Sequence, residues 1–190
     1  MTTNRLEAFS DGVLAIILTI MVLELKIPFG SDIKSLLPIV PKLLNYVLSF
    51  IFVGIYWNNH HHLFNAIKKV NGKILWSNLF LLFWLSLLPV ATGWMSENYH
   101  NSWPVAIYGT ILLMCSIAFY LIEKSALNLE DKQSVIAKSL VNRRKENITL
   151  LANVLAIALA FFIPLVSIFI YIFTAILWII PDKRIENLLD

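Results

Sequence analysis

Val13-Leu14-Ala15-Ile16-Ile17-Leu18-Thr19-Ile20-Met21-Val22-Leu23-Glu24-Leu25 is apolar at every position except Thr19 and Glu24. Extended to Arg5 at one end and Ile27 at the other, it reaches the length a helix needs to cross the hydrocarbon core, about 20 residues. Five further runs have the same character: Pro41 to Phe64, Ile74 to Met95, Trp103 to Glu123, Ile148 to Ile163 and Leu165 to Ile180. Of the 190 residues 58% are hydrophobic and 14% charged, so a water-soluble globule would have nowhere to put its apolar surface. The expected architecture is all-α: one integral membrane domain of six transmembrane helices over residues 1–190, with no room for a separate catalytic domain.

Lysine and arginine placement tests the count, because cytoplasmic loops carry the excess of positive charge. With six spans, one side collects Arg5, Lys68, Lys69, Lys73, Lys124, Lys132, Lys138, Arg143, Arg144, Lys145, Lys183 and Arg184. The other side holds Lys26, Lys34 and Lys42. Both termini are therefore expected in the cytoplasm, and the net charge of +3 reflects topology, not affinity for nucleic acid. Residues 148–180 are too long for one ordinary crossing. Pro164 is expected to mark a tight turn between two short spans, the alternative being one kinked, tilted helix. Lys124 to Glu146 is expected to be a solvated connector, and Met1 to Asn4 is too short for a cleavable leader. Cys115, the only cysteine, permits no internal disulfide and no thiolate metal cage.

Polar groups gather at the start of the first span and the end of the second. Arg5 and Glu7 fit the headgroup layer, but Asp11 needs a partner facing protein or water. At about 100° per residue, Gly12, Thr19, Ile20 and Leu23 lie within roughly 60° of Ile16, whereas Asp11 lies about 140° away. The Ile16 stripe carries no ionisable group and one hydroxyl; by periodicity alone it suits packing or lipid as well as a pore. The second span ends Tyr56-Trp57-Asn58-Asn59-His60-His61-His62-Leu63-Phe64. Consecutive histidines on a helix diverge and do not grip one metal ion. Asn58 or a histidine turned inward against Asp11 and Arg5 accounts for them better, beside an interfacial belt of Trp57 and histidines. Trp84, mid-span, needs a partner for its indole N–H that the sequence does not name.

The run Arg5-x-x-x-Phe9-Ser10-Asp11-Gly12, followed by Ala15-Ile16-Ile17-Leu18-Thr19 and Leu23, resembles the signature of the transmembrane protein 175 family. The segment from Tyr56-Trp57 to Phe64 is similar to the family's second span. The resemblance covers the whole length and points to the bacterial single-repeat form in the inner (plasma) membrane. It implies a potassium channel, a homotetramer with the first helix of each subunit lining the pore. It also implies a constriction at Ile16, Ile20 and Leu23, with Thr19 between them contributing to selectivity. Arg5, Phe9, Ser10, Asp11, Trp57, Asn58, His60 and His61 then form a structural polar network. Arg5 departs from this, since it falls in phase with the stripe.

No Thr-Val-Gly-Tyr-Gly run is present to build carbonyl rings. Selectivity then rests on apolar rings that partly dehydrate the ion, at less cost for potassium than for sodium, and that can also close by dewetting as a hydrophobic gate. Modest selectivity among monovalent cations follows, with potassium passing near Ile16, Thr19 and Leu23 and neither a cofactor nor a bound metal implied. A secondary transporter and a proton-permeable channel of the same architecture are the alternatives. The transporter is disfavoured by the lack of internal repeats and of mid-span breaks in the first four spans. An enzyme is disfavoured because spans three to six offer few polar residues.

Overall fold

The computed structural model describes residues 3–67, 69–129 and 143–179. Helix α1 runs Thr3–Leu23, a 3-10 turn runs Ile33–Ile39, and α2 runs Val40–Ala66 with Pro41 in its first turn, where a missing N–H costs nothing. Helix α3, Gly72–Ser86, is capped by the Asn71 side chain, which accepts from the Ile74 amide at 3.0 Å. Helices α4 (Leu88–Glu97), α5 (Ser102–Leu127), α6 (Arg144–Ala160) and α7 (Pro164–Ile179) follow. Four segments are long and apolar enough to cross a membrane: α1, the 3-10 turn with α2, α3 with α4, and α5.

Several boundaries differ from the sequence reading: α5 runs on to Leu127 beyond the expected Glu123, α6 begins at Arg144 before the expected Ile148, and two further differences involve proline. The first helix stops at Leu23, not Ile27, because Pro28 biases its predecessor away from helical angles and the charged Glu24 and Lys26 flank the exit. The third span, expected unbroken, is interrupted at Leu87 between α3 and α4. Pro89 has no N–H to give the preceding turn, so the chain restarts there with proline at the helix opening. Within the turn the Leu87 amide reaches Trp84 O at 3.2 Å, and Ala91 resumes the helix on Leu87 O at 3.1 Å.

The long C-terminal run is a hairpin. Ser167 donates to Ala156 O at 2.7 Å, and the Trp178 indole donates to Thr149 Oγ1 at 2.8 Å. Partners 11 and 29 residues apart cannot meet on one continuous helix. Phe161–Ile163 form the turn, and Pro164 opens α7. At 17 and 16 residues the two helices are about 25 Å long, shorter than the hydrocarbon core. Much of the connector, at residues 130–142, lies outside the described residues, as do Lys68, Lys132, Lys138, Ile180, Lys183 and Arg184.

Helix α5 is the centre of the subunit, packed against α3, α4, α6 and α7. Half of its most apolar window is buried, against 28% for α1, which leans on α2, α3 and α4 along one side. Most polar groups inside the bundle are paired, as lipid demands. Ser49 on α2 lies 2.7 Å from Thr92 on α4 and 3.0 Å from the Tyr108 hydroxyl on α5. Cys115 is fully buried, and Trp84 Nε1 is buried without a hydrogen-bond partner among the described residues.

At Gly109 the Tyr171 side chain of α7 comes up against the backbone of α5. A Cβ added there would run into the Tyr171 hydroxyl, which donates to Val105 O at 3.1 Å. Gly109→Ala is expected to destabilise the subunit by about 1–3 kcal/mol through overpacking. Thermal melts in detergent check this, and adding Tyr171→Phe should recover part of the loss by removing the clashing atom. A Gly109→Ala melt equal to wild type would show that the helices do not meet this closely.

Candidate functional site

Helix α1 is laid into the subunit on one face only. Leu6, Ser10, Leu14, Ile17 and Met21 are buried, at the i, i+3, i+4, i+7 spacing of one helical side. The opposite side is left open by the described residues: Ile16 is 61% exposed, Ile20 47% and Leu23 75%. Gly12 and Thr19 share that exposed side. Thr19 Oγ1 donates to Ala15 O at 2.8 Å. This back-bond uses the hydroxyl proton and leaves the oxygen lone pairs free on the uncovered face.

Beneath that face a buried relay ties three helices. Ser10 Oγ donates to Leu6 O at 2.9 Å and accepts from Asn78 Nδ2 at 2.9 Å. The other side of the Asn78 amide, Oδ1, is 2.8 Å from His60 Nε2. All three residues are almost fully buried, and His60 stacks on Phe64 at 4.2 Å between ring centres. The donor count closes when His60 carries its proton on Nε2.

A second set of contacts lies nearer the surface. Asp11 Oδ1 accepts from the Trp57 indole at 3.0 Å. Glu7 Oε1 is 2.7 Å from His61 Nδ1, and Asn65 Nδ2 donates to His61 Nε2 at 2.9 Å. Both ring nitrogens of His61 are thus partnered, one by a carboxylate of α1 and one by an amide of its own helix. His60 therefore turns to α3 and His61 to α1, as the divergence of neighbouring helical positions requires.

Of the residues singled out in the sequence, Ser10 and His60 meet through Asn78, Asp11 meets Trp57, and His61 meets Glu7. Arg5 and Asn58 are exposed and Phe9 is 51% exposed, so the single subunit does not draw them into that set. Glu7, expected in the headgroup layer, also pairs with His61. Asn78 escaped notice altogether. Its only sequence signal is an amide near the start of an apolar span, level with the polar ends of the first two.

The chain is similar to known proteins in both sequence and fold. The model of the endosomal/lysosomal potassium channel TMEM175 family matches residues 5–89, the stretch that holds α1, α2 and α3. A potassium channel of a Chryseobacterium species (strain P1-3) is 54% identical over 187 residues, covering 98% of this chain and 97% of that protein. The endosomal/lysosomal proton channel TMEM175 of Gallus gallus is 30% identical over 63% of this chain, which spans only 26% of that longer protein. Among solved structures, the crystal structure of a lysosomal potassium-selective channel TMEM175 homolog from Chamaesiphon minutus has a TM-score of 0.83 at 26% identity. The match covers 95% of this chain and 98% of that one. With the likeness running nearly end to end in both sequence and fold, this chain belongs to the TMEM175 family of channels.

Proposed function

We propose that four copies of this chain surround a pore lined by α1 and conduct potassium in preference to sodium. The observation that carries this reading is the uncovered apolar face of α1, on a chain whose relatives bear potassium-channel names. One subunit's face encloses nothing, so closure by symmetry is required. The narrowest rings are at Ile16, Ile20 and Leu23, with Thr19 between them. Apolar rings offer no ligands to replace water, so an ion crosses by shedding part of its shell, which costs less for the larger potassium ion. The same rings dewet when drawn together and serve as a hydrophobic gate. Asp11, Trp57, Ser10, Asn78 and His60 position α1 and do not touch the ion.

Counting the four long apolar segments and the two helices of the C-terminal hairpin as spans gives an even number, a reading that puts both termini on one side. Twelve of the fifteen lysines and arginines fall on that side, which makes it the cytoplasmic face of a bacterial inner membrane. The test is potassium flux into liposomes holding the purified protein, with crosslinking to count subunits. Saturable uptake coupled to a counter-ion would replace the channel with a transporter. The animal relatives are named proton channels, so proton flux should be read in the same vesicles.

Thr19→Val keeps the side-chain shape and removes the oxygen. We expect the potassium-to-sodium permeability ratio to fall about threefold, since each tenfold in rate is roughly 1.4 kcal/mol and one hydroxyl supplies a fraction of that. Reversal potentials in bi-ionic solutions measure it. An unchanged ratio would leave the hydroxyl with its bond to Ala15 as its only role.

A further inference from the structure

A cavity of about 430 Å³ lies away from α1, bounded by α2, α5, α6 and α7. That volume falls in the range of small-molecule sites, about 300–1,000 Å³. Its walls are aromatic, with Tyr56 from α2, Phe119 and Tyr120 from α5 and Trp178 from α7. The Tyr56 and Phe119 rings stand 6.2 Å apart between centres, tilted by 58°. Several polar groups of the lining are matched within the protein. The Tyr56 hydroxyl is 3.1 Å from Ser116 Oγ, the Trp178 indole donates to Thr149 Oγ1 at 2.8 Å, and Arg143 stands 3.7 Å from the Glu123 carboxylate. Asn153 on α6 differs. It lines the cavity, is 1% exposed, and its Oδ1 has no hydrogen-bond partner among the described residues.

We propose that this cavity binds a neutral fused-ring phenol, its rings among the four aromatic side chains and its hydroxyl donating to Asn153 Oδ1. A buried amide oxygen without a donor costs free energy that a ligand recovers by reaching it with an O–H or N–H. The aromatic walls favour a flat apolar body, through burial and through offset or edge-to-face ring contacts. With Glu123 met by Arg143, a neutral ligand suffices. A lipid acyl chain would fill the same space and leave Asn153 Oδ1 unmet, whereas water would meet that oxygen without using the aromatic walls. A phenol does both. The site is separate from the face of α1, so its occupancy is read by binding and depends on neither conduction nor assembly.

Equilibrium binding of labelled β-naphthol to the full-length chain in detergent tests this, since a phenol stays protonated at neutral pH. Its methyl ether, the same ring body with an oxygen that accepts but cannot donate, is the competitor. The expected result is saturable binding in which the ether competes about fivefold more weakly than unlabelled β-naphthol. Asn153→Leu keeps the volume and removes the amide, so β-naphthol should bind it about fivefold more weakly than wild type and the two compounds should compete equally. General damage to the bundle would weaken both compounds without erasing the preference between them. If Asn153→Leu does not fold, Asn153→Ala serves in its place, with the same loss of preference expected. Absence of saturable binding, equal competition by the ether on wild type, or a phenol preference that survives removal of the Asn153 amide would each overturn the assignment.

Discussion

Replacing Ile16 or Leu23 with Asn is expected to raise potassium flux by about tenfold, equivalent to roughly 1.4 kcal/mol off the crossing barrier, and to bring sodium flux close to it. An apolar ring excludes water from the narrowest point, and an amide at the same place holds water there and offers its carbonyl to the ion. Both gating by dewetting and discrimination by dehydration then weaken together. Ile16 and Leu23 are more exposed than Ile20, at 61% and 75%, so each change disturbs little packing within the chain. Liposome flux with potassium and then sodium as the only cation measures both effects. If Asn at Ile16, Ile20 and Leu23 each left conductance and selectivity unaltered, α1 would not be the filter and the pore assignment would fail.

The second large effect is expected at Asn78. Asn78→Leu leaves Ser10 without its donor and His60 without its acceptor, both in the buried seam where α1, α2 and α3 meet. Each buried group left unpaired costs about 1–3 kcal/mol, so we expect a loss of roughly 2 kcal/mol or more. Asp11→Ala should cost less, about 0.6–1.7 kcal/mol, as is usual for one interhelical hydrogen bond in a membrane protein. Its partner Trp57 is half exposed, and water or lipid headgroups can substitute there. Denaturation in mixed detergent micelles ranks the two variants. An Asn78→Leu protein as stable as wild type would mean the relay does not hold the helices together.

Much of the fold was legible because lipid imposes a coarse rule: about 20 apolar residues per crossing, with lysine and arginine sorted to one side. That rule predicted six spans without any knowledge of contacts. It failed where local backbone chemistry intervened. Pro89 lies in an apolar run that hydropathy alone makes seamless, yet its missing N–H breaks the helix at Leu87. Pro164 acts in the same way in the other long run, and the bonds from Ser167 to Ala156 and from Trp178 to Thr149 decide for a hairpin over a kinked helix.

At the site the division is sharper. Helical phase by itself separated Ile16, Thr19, Ile20 and Leu23 from Asp11, because spacing along one helix fixes direction around it. Direction does not say what lies opposite, and only packing leaves the Ile16 face bare while Leu14 and Ile17 are buried. The sequence likewise assembled the polar residues at one depth but could not pair them, since a hydrogen bond between helices depends on how those helices sit side by side. Asn78 joins Ser10 and His60, and Glu7 joins His61, across 68, 18 and 54 residues of chain. The cavity of α2, α5, α6 and α7 follows the same logic: Glu123 and Asn153 share a lining only because the C-terminal hairpin folds back against α5. The sequence determined where the apolar helices lie and which face of the first is free of charge. Tertiary structure alone decided which polar groups meet, because that is a property of distances between segments that the chain's own periodicity does not contain.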